Sequence, residues 1–512
     1  MVNNADFLQI HNIRDKYPEL KGRNFMNGYV NERAKEYKEF LHGKNAVVIG
    51  AGISNIPLIY FLLDNGCNVN VRDKKEREAL AQTLNIAELE EKGVTFCLGE
   101  DYLRRMDADI IYKTPGVRYD NVEIIDAYEN GAYITSEMEA FISLCPAKII
   151  AITGSNGKTT TSTLCAKLLE ASGHKVFLGG NIGKPLLSQI DEITPDDFVV
   201  LELSSFQLHT INKFSNTGLP FSFINFPDSA IITNVSPNHL DWHLSMEEYA
   251  ESKRAVFDFM KSGGRLVTNA DCPISSGFAR EASERDIDIV LFSRSGAEKA
   301  GVFYRDGALI RRSGTKETKL IDTESILIPG LHNAENYMAA YAATEPYLTP
   351  DALYKVATTF PGVSYRLELC REKDGVKFYD SSIDSSPSRT EAALSAFPES
   401  MNKKINIILG GYDKKIPFDV SFGQAITKKV KRAFICGATA KKIEEAIVKS
   451  PNFDSTQTEV IMCSDFDEAV MSACKAAESG ECVLLSPACA SFDAFKNFEE
   501  RGKHFKELVA KF

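Results

Sequence analysis

Residues 148–173 read KIIAITGSNGKTTTSTLCAKLLEASG, and this segment constrains the fold more than any other. By pattern, Ile149–Thr153 is a buried strand and Lys158 to about Ala171 is a helix. Between them runs Gly154-Ser155-Asn156-Gly157-Lys158-Thr159-Thr160. A glycine loop that leaves a strand and opens a helix presents consecutive backbone N–H groups, which cradle phosphate. Lys158 can then reach terminal phosphates, and the Thr159 hydroxyl can bind Mg2+. Two residues separate the glycines where the common P-loop has four, which argues against a generic motor or GTPase. The bland alternative is a glycine turn that happens to hold a lysine. Strand, loop and helix in that order disfavour it.

The same change of pattern occurs at NAVVIGAGISNIPLIYFLLDNGCNVNVRD, residues 45–73, and in a third set from about Lys404: INIILGGYDKK, RAFICGA and CVLLSPA. Strands alternating with helices imply parallel sheets with right-handed crossovers, so the chain is α/β. Its 512 residues suffice for about three domains. Breaks near Leu144–Lys148 and near Thr359–Gly362, where Pro361 and Gly362 interrupt the helical pattern, divide it into a leader (1–31), a first domain (32–146), a central domain (147–360) and a C-terminal domain (361–512). A short helix is expected around Asn31–Leu41.

With 59 basic against 70 acidic residues, net −11, and no Lys/Arg run, nucleic acid is not the expected main partner, while local clusters still allow anionic small substrates. The most apolar window, Ala46–Leu63, holds two glycines and Pro57 and reads as strand, turn and helix rather than a membrane span. The charged N-terminus is not a secretion signal, and eleven cysteines without a C-x-x-C pair suggest reduced thiols in a cytoplasm.

Further motifs leave alternatives open. Gly50-Ala51-Gly52 with Asp73 ending the next strand suits a nucleotide diphosphate. Asn55 in the third glycine position makes NAD a poor second, and a ligand-free turn is the bland reading. Glu202, in LELSSFQL at a strand end, is placed to bind Mg2+ or else begins a helix N-cap region. His239 and His243 would share a face on a helix, but spacing offers no third zinc ligand, so a hydrogen-bonded structural pair is the ordinary reading. Lys253 reads by default as a surface lysine, and Cys489, in SPACASFD, as a small packed thiol.

In order, GSNGKTT, GGNIG, LELSSFQL, TNVSPNHLDWH…ESK, GLHNAENYMAA, SYRLE, LGGYDKK and SPACASFDAFKNFEERG resemble the Mur ligase family over about residues 44–510. The resemblance implies a Rossmann-like N-terminal domain for the UDP substrate, a central P-loop ATPase domain with a mostly parallel sheet, and a dinucleotide-fold-like C-terminal domain that closes over the site. It implies ATP-dependent amide formation through an acyl phosphate. LELSSFQL and the last motif resemble the members that join D-glutamate to UDP-N-acetylmuramoyl-L-alanine, and D-N-P-R and G-H-H-P-T-E, marks of other branches, are absent. Carried over by position, Gly154 to Thr160, Asn336, Arg366 and Asp380 would contact ATP. Thr159, Glu202, His239 and Lys253, the last carbamylated, would hold Mg2+. Ile53, Ser54, Asp73, Thr114-Pro115-Gly116, Asn181 and Ser204 would contact the UDP substrate, and Lys414, Ser491, Phe492 and Phe498 D-glutamate. The expected enzyme is a cytoplasmic monomer binding neither nucleic acid nor membrane.

One departure stands out. The family's D-S-K-A-T segment is here Asp380-Ser381-Ser382-Ile383-Asp384, so an acid would face a dicarboxylate unless a base such as Arg389 offsets it. Two rival readings are a polyglutamylating ligase of the folate type, which lacks the GAGISN domain, and a nucleotide-binding scaffold. Lys158, Glu202, His239 and Lys253 together argue against the scaffold.

Overall fold

The computed structural model describes residues 29–52, 54–211, 213–214, 226–297 and 299–512. Most of the leader, and Ile53, lie outside the described residues. The chain forms two compact units.

The first unit takes residues up to 147, together with 185–197 and 213–214. Its sheet comprises β1 (Asn45–Ile49), β2 (Asn68–Asp73), β3 (Thr95–Leu98), β4 (Ile110–Lys113) and β5 (Tyr133–Thr135), all parallel in the order β3-β2-β1-β4-β5. That is the order of a doubly wound nucleotide fold. Ala46, Val47, Val48 and Ile49 are all buried, as a central parallel strand with both faces covered requires. The expected short helix is Glu32–Leu41, capped by Asn31, whose side chain accepts the Ala34 N–H and donates to Leu144 O at 3.0 Å. The Glu137 carboxylate accepts the Leu187 N–H at 3.1 Å, tying residues 185–197 into this unit.

The second unit carries two sheets. The larger joins β6 (Lys148–Thr153), β7 (Val176–Gly180), β8 (Phe198–Glu202), β9 (Ser229–Ile232), β10 (Arg265–Asn269), β11 (Asp288–Ser293), β12 (Val302–Arg305), β13 (Ala308–Ser313) and β14 (Lys316–Asp322) in the order β14-β13-β12-β11-β10-β9-β6-β8-β7. From β7 to β12 the pairing is parallel, so the C-terminal ends of these strands share one edge. β12, β13 and β14 run antiparallel, a tail the alternating pattern did not suggest. The helix Lys158–Ala171 packs with Leu331–Thr344, whose buried alanines (Ala334, Ala339, Ala340, Ala342 and Ala343) allow a close approach.

The smaller sheet holds β15 (Glu368–Lys373), β16 (Val376–Asp380), β17 (Ile405–Gly410), β18 (Val430–Cys436), β19 (Glu459–Met462) and β20 (Cys482–Leu485), ordered β15-β16-β20-β17-β18-β19. Only β15 is antiparallel. Three mostly parallel α/β sheets thus answer the expected fold class. No helix among the described residues is long and apolar enough to cross a membrane, and Ala46–Leu63 is strand, turn and helix.

Candidate active site

The C-terminal ends of β6, β8 and β9 lie side by side, with Ile152 opposite Glu202 and Thr153 opposite Ile232. Ligands of open parallel sheets bind at this edge. The glycine loop after β6 is stapled to the segment after β9. Ser155 N–H donates to Asn234 O at 2.8 Å, Asn156 N–H to Asn234 Oδ1 at 3.0 Å, and Thr233 Oγ1 to Asn156 O at 2.6 Å. Gly154 has φ +144°, and a Cβ there would lie 1.9 Å from Thr233 Oγ1. Gly157 has φ +79°, with Asn336 Oδ1 2.5 Å from where a Cβ would sit. Only glycine fits either position. Asn336 Oδ1 also accepts the Thr161 hydroxyl at 3.2 Å. Thr159 and Thr160 lie in the first turn of the helix that the loop opens.

Two lysines converge on one carbonyl. Lys158 Nζ donates to Gly154 O at 3.0 Å and Ser155 O at 3.2 Å, and Lys253 Nζ donates to Gly154 O at 2.9 Å. Lys253 is 1% exposed, so its default reading as a surface lysine is corrected: the helix Met246–Arg254 turns it inward over the Tyr249 ring. Burial, then the Lys158 charge, pushes its amine down to about 6. Burial also lowers the Lys158 ammonium, opposed by Glu202.

Glu202 is buried and ends β8. Its Oε1 accepts Asn181 Nδ2 at 3.1 Å, and its backbone carbonyl accepts the Asn181 N–H at 2.7 Å. Its Oε2 is buried without a hydrogen-bond partner. A buried carboxylate oxygen left unsatisfied is costly, and a hard cation removes that cost. The oxygen donor that Glu202 leaves unsatisfied is of the type Mg2+ prefers. Ser204 follows as a helix N-cap in a reciprocal capping box with Gln207, so the N-cap reading of this motif has its counterpart at Ser204.

His239 sits in a turn at φ +54°, exposed, with its ring 4.9 Å from Phe206. Partial burial lowers its basicity, with Lys158 and Lys253 adding and Asp241 opposing. It shares no helical face with His243, which is buried and bonded through Nε2 to Ser205 Oγ at 2.9 Å. The shared helical face is thus corrected: a turn joins them, in which the His243 N–H donates to His239 O at 3.0 Å.

Arg366 is exposed, yet partial desolvation lowers its guanidinium, and it feels both Glu202 and Asp384. Asp380 ends β16, and burial pushes its carboxyl up to about 6. The loops after β17 and β20 meet through Tyr412 and Ala490, which brings GGYDKK beside SPACAS. Lys414 Nζ donates to Ser385 Oγ at 3.2 Å. Ser491 is buried, Phe492 is 62% exposed against Tyr412, and Phe498 opens the last helix with its ring 5.9 Å from Tyr365. Cys489 is a packed thiol, pushed up to about 11 by burial.

At the departing segment, Ser382 Oγ donates to Phe498 O and accepts from Arg501 Nε at 3.0 Å. Arg501, buried, also donates to Ser382 O, Cys489 O and Ala490 O. Sequence reading missed this residue, because a basic side chain on a terminal helix gives no sign of burial. Asp384 accepts the Ser486 hydroxyl at 2.8 Å, and burial pushes it up to about 6 against the pull of Arg389 and Arg366. Thr233 and Asn234, which follow β9, and Tyr249 on the helix Met246–Arg254, whose Oη lies 2.9 Å from Ser155 Oγ, were not named as site residues; a strand-end position was the available signal for the first two.

In the first unit, Asp73 Oδ2 accepts the Ala51 N–H at 2.9 Å and Oδ1 the Lys75 N–H. Asn55 Nδ2 donates to Ile49 O and Gly50 O, bridging the gap where a third glycine would permit close packing. Ser54 begins the helix Asn55–Asp64 without a side-chain cap bond, and Thr114, at the end of β4 with Pro115 and Gly116, touches Gly50.

Family models match along the chain: the Mur ligase MurD-like N-terminal domain at 44–136, the Mur ligase middle domain at 152–344, and the Mur ligase glutamate ligase domain at 365–489. Curated relatives named UDP-N-acetylmuramoylalanine–D-glutamate ligase include those of Ruminiclostridium cellulolyticum and Acetivibrio thermocellus. Each is 46% identical over 483 residues, covering 94% of this chain and 99% of the relative. Among solved structures, UDP-N-acetylmuramate-alanine ligase from Thermotoga maritima is 20% identical with a TM-score of 0.54, covering 91% of this chain and 99% of its own, and so shares the fold. A MurF ligase from Thermotoga maritima in complex with ADP gives 18% and 0.51, covering 93% and 97%. With three family domains in order and relatives at this identity over nearly their full length, the chain belongs to the Mur ligase family.

Proposed function

We propose that this chain is an ATP-dependent ligase that joins D-glutamate to UDP-N-acetylmuramoyl-L-alanine in peptidoglycan precursor synthesis. The observation that carries the reading is the convergence of Lys158 and Lys253 on Gly154 O, at the sheet edge that also bears the buried, half-satisfied Glu202 carboxylate. Relatives at 46% identity bear that activity in their names.

The loop N–H groups and Lys158 bind the phosphates of ATP and orient the terminal one. The alanyl carboxylate oxygen attacks the terminal phosphorus and ADP leaves, giving an acyl phosphate. The D-glutamate amine then attacks the acyl carbon, and inorganic phosphate leaves as the amide forms. Thr159, Glu202, His239 and a carbamylated Lys253 would hold Mg2+, which would supply charge neutralisation between the anionic reactants. A neutral, buried Lys253 amine is the form that adds CO2, and the product offers two hard oxygens in place of an ammonium. Asn336, Arg366 and Asp380 contact ATP; Lys414, Ser491, Phe492 and Phe498 receive D-glutamate. Ile53, Ser54, Asp73, Thr114, Pro115, Gly116, Asn181 and Ser204 receive the UDP substrate. We take the domains as 32–146, 147–360 and 361–512, and the catalytic unit as one cytoplasmic chain.

The test is phosphate release measured with and without each co-substrate, across D-glutamate, L-glutamate, D-aspartate and lysine. Turnover requiring both UDP-N-acetylmuramoyl-L-alanine and D-glutamate is expected. Equal turnover without either, or L-glutamate working as well, overturns the reading.

A further inference from the structure

We propose that His209, His243 and Glu248 form a binding site for a transition-metal ion of the zinc type, separate from the magnesium ligands around Glu202. Each residue offers one ligand atom, and the three atoms lie within 4.8 Å of one another. His209 Nε2 is 3.0 Å from Glu248 Oε1, and His243 Nδ1 is 3.8 Å from Glu248 Oε2. Tetrahedral zinc, with bonds of about 2.0–2.1 Å, holds its ligand atoms roughly 3.3 Å apart. Closing on an ion therefore takes side-chain shifts on the order of an ångström.

The donor types set the ion. Two imidazoles and one carboxylate suit zinc or cobalt, whereas Mg2+ prefers oxygens throughout. Both histidines are buried, and the Phe206, Trp242 and Tyr249 rings pack around His243. His243 Nε2 pairs with Ser205 Oγ at 2.9 Å while Nδ1 faces Glu248; with an ion on Nδ1, Nε2–H would donate to Ser205, the outer support that metal-bound histidines use. Ser205 and His209 lie one turn apart on the helix Ser205–Thr210 and share a face. Glu248 stands in the first turn of Met246–Arg254 and accepts the Leu244 N–H at 2.6 Å. Three protein ligands leave a further position for water.

The ion would brace two short elements that matter to the reaction. One directly follows Glu202; the other carries Lys253, along with Tyr249, which reaches the glycine loop at Ser155. The role is positioning, through the two helices that carry His209 and Glu248.

Cobalt titration of the full-length, tag-free protein in excess Mg2+ tests the site. We expect one equivalent of Co2+ bound, with the visible absorption of four-coordinate cobalt, displaced by Zn2+. This binding should survive Glu202→Gln and weaken at least tenfold in His209→Gln and Glu248→Gln, with folding checked by circular dichroism. Glu248→Gln keeps an oxygen for the Leu244 N–H and is the variant best suited to stay folded. No equivalent bound by the wild-type protein overturns the proposal. So does binding lost in Glu202→Gln, or binding undiminished in Glu248→Gln; the triad is then a hydrogen-bonded His–Glu cluster.

Discussion

With its amine pushed down to about 6, Lys253 is almost wholly neutral at pH 7.5, roughly a thousandfold richer in free amine than an exposed lysine. The unfolded chain holds this proton up to about pH 10.4 and the native one only below about 6, so unmodified Lys253 makes stability rise with pH across that window. Protein equilibrated with 13C-bicarbonate should show a carbamate carbon signal at pH 8 that fades below pH 6 and is absent from Lys253→Ala. That variant should lose at least ~100-fold in kcat, with partial rescue by acetate. Asp384 has the opposite sign. Its folded value is raised from 3.8 to about 6, so its contribution is full below the lower value and is lost as pH rises to the upper one. Asp384→Asn should therefore gain about 1–3 kcal/mol at pH 7.5 and little at pH 4, read from urea unfolding at both. An absent gain would mean that Arg366 and Arg389 already offset the charge. Lys158 was legible from its loop. The burial of Lys253 and Arg501 was not, because a charged side chain carries no local mark of what covers it.

The glycine loop is an element whose geometry admits one residue type at two positions. Gly154→Ala must accommodate φ +144° and a Cβ 1.9 Å from Thr233 Oγ1, strain of about 1–3 kcal/mol. We expect an ATP KM raised roughly tenfold, with circular dichroism unchanged. In the C-terminal sheet the loops after β17 and β20 meet, and Lys414 reaches Ser385 from one of them. Lys414→Ala should raise the KM for D-glutamate with a smaller effect on that for ATP. An unchanged glutamate KM would point to Arg389 as the carboxylate partner. Strand–loop–helix units at Ile149, Ala46 and Lys404 were legible because parallel strands buried on both faces leave continuous apolar runs. The antiparallel tail β12–β14 was not recognised, although Asp306-Gly307, at φ +49° and +78°, is a two-residue hairpin signal.

At the scale of the whole molecule, a chain of net charge −11 is proposed to assemble ATP and two further anions. Their mutual repulsion makes a divalent cation indispensable. Removal of Mg2+ with EDTA should abolish turnover in the phosphate-release assay, and added Mg2+ should restore it. Turnover that persists in EDTA would sink the assignment of Glu202. Fold class, the number of sheets and the phosphate loop were set by the sequence alone, because hydrophobic period and glycine placement act within a few residues. What tertiary structure decided is which distant groups meet. The His243 side chain clusters with those of His209 and Glu248, and Lys253 and Lys158 share a carbonyl across 95 residues of chain. Arg501 reaches back to Ser382. Such contacts, and the desolvation that shifts their charges, depend on packing between elements, and local pattern holds no record of it.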